Sequence, residues 1–161
     1  MTPGQGARLR AAVEAVPDPE LPVLTIADLG ILRGIDLGPG RVVVTITPTY
    51  SGCPAMDAIR ADILAACAAA GAPDAEVRTV LAPAWTTDWL TPEGARKLAA
   101  YGIAPPGPRA APGPVPLTLS VRCPQCGSTD TREVSRFSST ACKALHTCRA
   151  CREPFERMKE I

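Results

Sequence analysis

Cys123-Pro124-Gln125-Cys126-Gly127, answered by Cys148-Arg149-Ala150-Cys151, is the stretch that decides the fold of the C-terminal third of this 161-residue chain. Two C-x-x-C pairs separated by about two dozen residues offer four thiolates to one tetrahedral ion, each sulfur about 2.3 Å from it. Four sulfurs close the coordination sphere and leave no position for a substrate, so the site reads as structural. Pro124 sets one φ of the first turn and Gly127 supplies the freedom to leave it. Disulfide pairing is the competing reading, and the double spacing favours zinc over it; iron in a four-sulfur site is the alternative metal. Cys142 and His146 are four residues apart, but the ion is already saturated. Cys142 therefore reads as a packing or partner-contact residue beside Leu145, and His146 as a surface imidazole.

Seven cysteines is an odd count, and Met1 to Pro22 shows neither an apolar export core nor a cleavage pattern, so the expectation is a cytoplasmic protein with reduced thiols. No run approaches the apolar length of a membrane span. The net charge of +1 conceals an asymmetry. Residues 1–103 hold 8 Lys and Arg against 11 Asp and Glu, which is −3, and residues 117–161 hold 8 against 5, which is +3.

Between these regions, Ala104-Pro105-Pro106-Gly107-Pro108-Arg109-Ala110-Ala111-Pro112-Gly113-Pro114-Val115-Pro116 is too rich in proline for a helix or a central strand, and reads as an extended spacer. The expected organisation is an α+β domain over 1–103, a linker over 104–116 and a zinc ribbon over 117–161. A module of that size falls where a hydrophobic core alone is marginal and a metal must supplement it.

The first domain alternates helix and strand signals. Leu9, Ala12, Val13 and Val16 share a helix face within 7–16. Ile31 to Leu37 and Arg41 to Thr47 form a hairpin around Gly38-Pro39-Gly40. Pro54 to Ala70 is helical, with Ile59, Ile63 and Cys67 on one face and Gly71 as its stop; Glu76 to Leu81 reads as a strand and Thr91 to Tyr101 as a capped helix. The sum is a mixed domain with a sheet of three strands. One junction carries chemistry: Thr47-Pro48-Thr49-Tyr50-Ser51-Gly52-Cys53-Pro54. Pro54 suits a first helical position, which predicts Cys53 at the helix N-cap, where the macrodipole favours a thiolate. Thr47, Thr49 and Ser51 offer hydroxyl donors. The competing reading of Cys53 is a small buried apolar residue.

Asp18-Pro19-Glu20-Leu21-Pro22, Ile26-Ala27-Asp28-Leu29-Gly30 and the run ending Cys53-Pro54 resemble the SufT-like family of iron-sulfur assembly factors, whose single cysteine follows the central hairpin. Trp85-Thr86-Thr87-Asp88-Trp89, Tyr101-Gly102-Ile103-Ala104-Pro105-Pro106, Ser139-Thr140-Ala141-Cys142-Lys143-Ala144-Leu145 and Glu153-Pro154-Phe155 extend the likeness. With them nearly the whole chain resembles the PaaD/PaaJ family of the bacterial phenylacetyl-CoA epoxidase system. Ser138, where that pattern has glycine, predicts local strain if its φ is positive.

The resemblance implies a non-catalytic accessory subunit in phenylacetate degradation that helps to assemble or maintain an iron-sulfur cluster in the ferredoxin-type reductase. Cys53, Thr49 and Asp28 are then the candidates for iron-sulfur or sulfur handling, with a transient iron or cluster beside the ribbon's zinc, and a homodimer is compatible with it. Asp18 and Glu20 read as turn formers, and Trp85 and Trp89 as core or as client anchors. Two other classes compete. A nucleic-acid-binding zinc-ribbon regulator is the alternative, but metal binding brings the ribbon's charge near +1, and only Phe155 lies near the knuckles to stack on bases. An enzyme with Cys53 as nucleophile lacks a base, since the one histidine lies in the other domain.

Overall fold

The computed structural model describes residues 2–38, 40–50, 52–107 and 121–160. The chain divides into two compact units, Met1–Thr91 and Pro92–Ile161.

The first unit opens with α1, Pro3–Glu14. It starts earlier than the apolar spacing suggests, because Thr2 and Gln5 form a reciprocal capping box and Pro3 occupies the first turn. Leu9 and Val13 of α1 are fully buried. The hairpin is present: β1, Leu32–Gly38, pairs antiparallel with β2, Arg41–Ile46. Pro39 of its turn lies outside the described residues, as does Ser51. Helix α2, Met56–Ala69, makes the crossover that brings β3, Glu76–Thr79, parallel to β2, so the sheet runs β1-β2-β3. Ile59, Ile63 and Cys67 form the buried stripe of α2 as their spacing predicts, and all three are fully buried. Burial raises the Cys67 thiol pKa, which keeps it a packing group.

A strap completes this unit. Trp85 is buried and its indole N–H donates to the Leu29 carbonyl at 2.9 Å, and Thr91 N–H donates to the Asp28 carbonyl at 2.8 Å. The two tryptophans do not share an α-helix, since only Thr87–Trp89 is helical, as one 3-10 turn. The Arg33 guanidinium lies 3.5 Å from the Trp89 ring centroid. Gly30, at φ 71°, is pressed so closely on the strap that a Cβ there would stand 2.4 Å from the Trp89 carbonyl oxygen.

The second unit begins with α3, Pro92–Ala100, and the two-residue strand β4, Ile103–Ala104. Then come β5, Thr131–Ser135, β6, Lys143–Cys148, and β7, Pro154–Met158, in the order β4-β7-β6-β5. The compact units therefore part before α3, whereas the sequence predicts the boundary at 103/104. Two backbone pairings explain the difference: β4 lies parallel to β7, with Ile103 opposite Glu156 and Ala104 opposite Arg157. Ala104, expected in the spacer, is thus a buried strand residue; residues 108–116 of that spacer lie outside the described residues.

Candidate metal centre

The sheet of the second unit supports two matching turns. Cys123 N–H donates to the Ser128 carbonyl at 2.9 Å, and Cys148 N–H donates to the Glu153 carbonyl at 3.0 Å, the same step along the chain in each knuckle. The residue after the second cysteine is left-handed in both: Gly127 at φ 74° and Arg152 at φ 66°. Arg152 is the only non-glycine at positive φ among the described residues. An arginine thus accepts a backbone costing about 1 kcal/mol or more, so that the second knuckle copies the first.

The sulfurs meet. Cys123 Sγ is 3.8 Å from Cys151 Sγ, and Cys126 Sγ is 3.6 Å from Cys148 Sγ. All four ligand atoms lie within 4.8 Å of one another, and no other set of three or more such ligands clusters among the described residues. A tetrahedron with metal–sulfur bonds of about 2.3 Å has edges of about 3.8 Å, so these residues fit a zinc-sized ion and would hold it through four thiolates. Cys123 and Cys148 are buried and pack with Ala104, Phe155 and Val121, while Cys126 and Cys151 are exposed. The amides of Cys151 and Ala150 and the neighbouring thiols draw the Cys148 pKa down to about 7 against the opposing effect of burial. At Cys151 the Glu153 amide acts downward, but burial and the thiols of Cys126, Cys148 and Cys123 push it up to about 12. One sulfur is ready to ionise and its neighbour resists, so loading the site with a cation must release protons.

Two expectations for the ribbon need correction. His146 is not a surface imidazole: it is 5% exposed, stacked on Phe155 with ring centroids 5.6 Å apart. Its position in β6, between Glu133 of β5 and Phe155 of β7, puts it inside the sheet's packed face, and burial lowers its pKa. Ser138 has no positive φ. Its hydroxyl instead donates to Glu156 Oε1 at 2.5 Å, and the Ser139 hydroxyl donates to the same oxygen at 2.8 Å. Lys143 Nζ, 4% exposed, donates to Glu156 Oε2 at 2.7 Å. The Ser139-to-Leu145 motif thus folds around one carboxylate, a role that only the alternation failure of a buried lysine in β6 could have signalled. Cys142 is buried, its sulfur 3.1 Å from the Thr140 hydroxyl.

In the first unit the thiol of Cys53 is half-buried in the connection from β2 to α2, which it shares with half-buried Thr49. It is not the N-cap. Ala55 holds that position with no side-chain cap, because Cys53 and Pro54 sit in a tighter turn closed by Met56 N–H to the Cys53 carbonyl at 3.3 Å. Asp28 is buried in the loop before β1, where its carboxylate accepts the Thr25 amide at 3.0 Å and its own amide donates to the Thr25 hydroxyl. Asp18 is a turn former as expected, its Oδ1 accepting the amides of Glu20 and Leu21. Thr47, expected as a hydroxyl donor, is 1% exposed, and its hydroxyl has no hydrogen-bond partner among the described residues. No helix among the described residues is long and apolar enough to cross a membrane.

Two family models match in series, one described as iron-sulfur cluster assembly protein over residues 7–81 and one as PaaD zinc beta ribbon domain over residues 111–159. A protein of Escherichia coli (strain K12) named as the D-subunit of a 1,2-phenylacetyl-CoA epoxidase is 45% identical over 162 residues, spanning 100% of this chain and 96% of that protein. The Fe-S protein maturation auxiliary factor of Porphyromonas gingivalis (strain ATCC BAA-308 / W83) is 33% identical over 88 residues, 53% of this chain and 83% of its own. The crystal structure of a DUF59 domain from Bacillus anthracis matches with a TM-score of 0.53 at 28% identity, covering 59% of this chain and 92% of that one. The strap over Gly30 and the α3–β4 segment fall between the two family models.

Proposed function

The chain belongs to the D-subunit (PaaD) family of 1,2-phenylacetyl-CoA epoxidases, and on that premise we propose that it is a non-catalytic accessory component of a phenylacetyl-CoA epoxidase. Its task is to assist assembly or maintenance of an iron-sulfur cluster in the ferredoxin-type reductase component. The observation that carries this reading is the likeness over the whole chain to a protein of that name, with an assembly-family match and a ribbon match in the same order. The maturation auxiliary factor that resembles the first half supports the assembly role over a catalytic one.

Cys53 handles iron or sulfur transiently, with Thr49 on the same loop and Asp28 as a further candidate. The thiol is neither in a disulfide nor fully buried, so a client can reach it. No proton-transfer partner is required of it, because a carrier thiolate releases its cargo by ligand exchange. The ribbon holds zinc through Cys123, Cys126, Cys148 and Cys151 and acts as the docking module. The sequence provides no di-iron carboxylate set of its own: its single histidine, His146, has Lys143 three residues before it in place of a glutamate.

The test is Cys53→Ser in cells that grow on phenylacetate. The variant should keep its fold and its zinc, while the reductase accumulates with depleted cluster absorbance and ring epoxidation falls for want of electrons. Normal cluster content and normal growth would return Cys53 to the role of a packing residue.

A further inference from the structure

The edge of a sheet presents unpaired N–H and C=O groups, which proteins cover, shorten or charge. On each outer strand of the three-stranded sheet a backbone carbonyl is bonded by an arginine from a helix. Arg10 of α1 donates to the Ile35 carbonyl of β1 at 3.2 Å; Arg60 of α2 donates to the Val77 carbonyl of β3 at 2.7 Å and to the Thr79 hydroxyl at 2.9 Å. In the ribbon, edge strand β4 is only two residues long and buried, and Glu160 accepts the Gly107 amide just beyond it at 2.9 Å.

The other ribbon edge, β5, is interrupted by a bulge between Glu133 and Ser135 and carries charges, yet it also presents an apolar surface. Val134 within it is 52% exposed and Phe137 just after it 66%, the only pair of exposed large apolar side chains on one strand and its end among the described residues. The Phe137 ring is held in place. The Ser135 hydroxyl accepts the Phe137 amide at 3.2 Å and donates to its carbonyl at 2.7 Å. Lys159 Nζ stands 4.5 Å from the ring centroid and donates to the Arg136 carbonyl at 3.1 Å. Arg132 and Arg136 are exposed and form no ion pair among the described residues, while the strand's one carboxylate, Glu133, stands 3.9 Å from His146 Nε2. The result is an apolar edge flanked by three cations.

From this arrangement we infer that β5 is the docking edge for an extended acidic segment of a partner protein. The segment lies extended along β5 across its bulge, rests an apolar side chain on Val134 and Phe137, and sets carboxylates against Arg132, Arg136 and Lys159. The cations disfavour basic segments by like-charge repulsion and so make the edge selective for acidic ones. The inference deepens the docking role given to the ribbon above, but it uses neither Cys53 nor a cluster.

The experiment uses the full zinc-loaded chain and two labelled peptides, one alternating glutamate with valine and one alternating lysine with valine. Fluorescence anisotropy should show binding of the glutamate peptide alone, weakening with salt, and hydrogen exchange should show protection of the β5 amides in that complex. Val134→Lys with Phe137→Ser should weaken binding by at least about tenfold. Arg132→Glu with Arg136→Glu should transfer the preference to the lysine peptide, and zinc content measured on both variants confirms an intact ribbon. No binding, equal binding of the two peptides, or protection confined to the first unit overturns the inference. So does displacement by a single-stranded DNA oligonucleotide whose own binding ignores the Val134 and Phe137 changes, since that marks a polyanion surface. Each of these failures leaves the cluster content of the reductase, and with it the Cys53 reading, to stand or fall separately.

Discussion

Glu156 shows how much one side chain organises. Burial alone would raise its pKa, but Lys143, Ser138 and Ser139 donate to it and hold it at about 2, below its ordinary 4.5. Because the folded value is depressed, its stabilisation is complete above pH 4.5 and is lost as the pH falls from there toward 2. Glu156→Gln should therefore destabilise the ribbon by about 1–3 kcal/mol at neutral pH, the scale of hydrogen bonds to a charged group. Denaturant titrations of variant and parent should converge as the pH is lowered through that window. The two left-handed knuckle residues invite a paired measurement. Gly127→Ala meets no atom closer than Arg122 Nη1 at 3.9 Å, so its cost is torsional, about 1 kcal/mol. Arg152→Gly relieves the same torsion and should raise the ribbon's melting temperature as the first change lowers it. At Gly30 both penalties act, the φ of 71° and a Cβ colliding with the Trp89 backbone, so Gly30→Ala should cost the first unit at least about 3 kcal/mol in equilibrium unfolding.

Among elements, α2 is the most legible from sequence, since Ile59, Ile63 and Cys67 recur at the helical period and Gly71 ends the run. Ile63→Ala should destabilise the first unit by about 2–5 kcal/mol, read from its urea midpoint, while leaving zinc content unchanged. The start of the same helix is less legible. Pro54 is equally suited to a first helical position and to a tight turn before one, and the local sequence does not distinguish them; the structure places the N-cap at Ala55, two residues beyond Cys53. The effect of the macrodipole on the thiol is correspondingly weaker, because it decays within the first turn. Helix α1 departs from expectation in the other direction. Its capping box is written in Thr2-Pro3-Gly4-Gln5, but two nearby glycines obscure it.

For the whole molecule, the consequential prediction is metal removal. Zinc binding by four thiolates is worth on the order of 10 kcal/mol, comparable with the stability of an entire small domain. Chelation, or Cys126→Ser, should unfold the ribbon and leave the first unit's circular dichroism and melting transition in place; loss of both together would end the two-unit description. The four-cysteine cluster, the hairpin and the α+β class were determined by the sequence alone, because each is encoded by residue type at fixed short spacing: thiols at C-x-x-C, glycine and proline at turns, apolar residues at helical or strand periods. Only the tertiary structure decided that α3 and β4 group with the ribbon, that His146 is buried against Phe155, that Glu156 gathers the Ser139-to-Leu145 motif, and that Arg10 and Arg60 each bond a carbonyl of an outer strand of the first sheet while Val134 and Phe137 stand exposed along β5. These pairings join residues far apart in the chain, through backbone hydrogen bonds that any side chain permits or through polar groups whose partners no local spacing names.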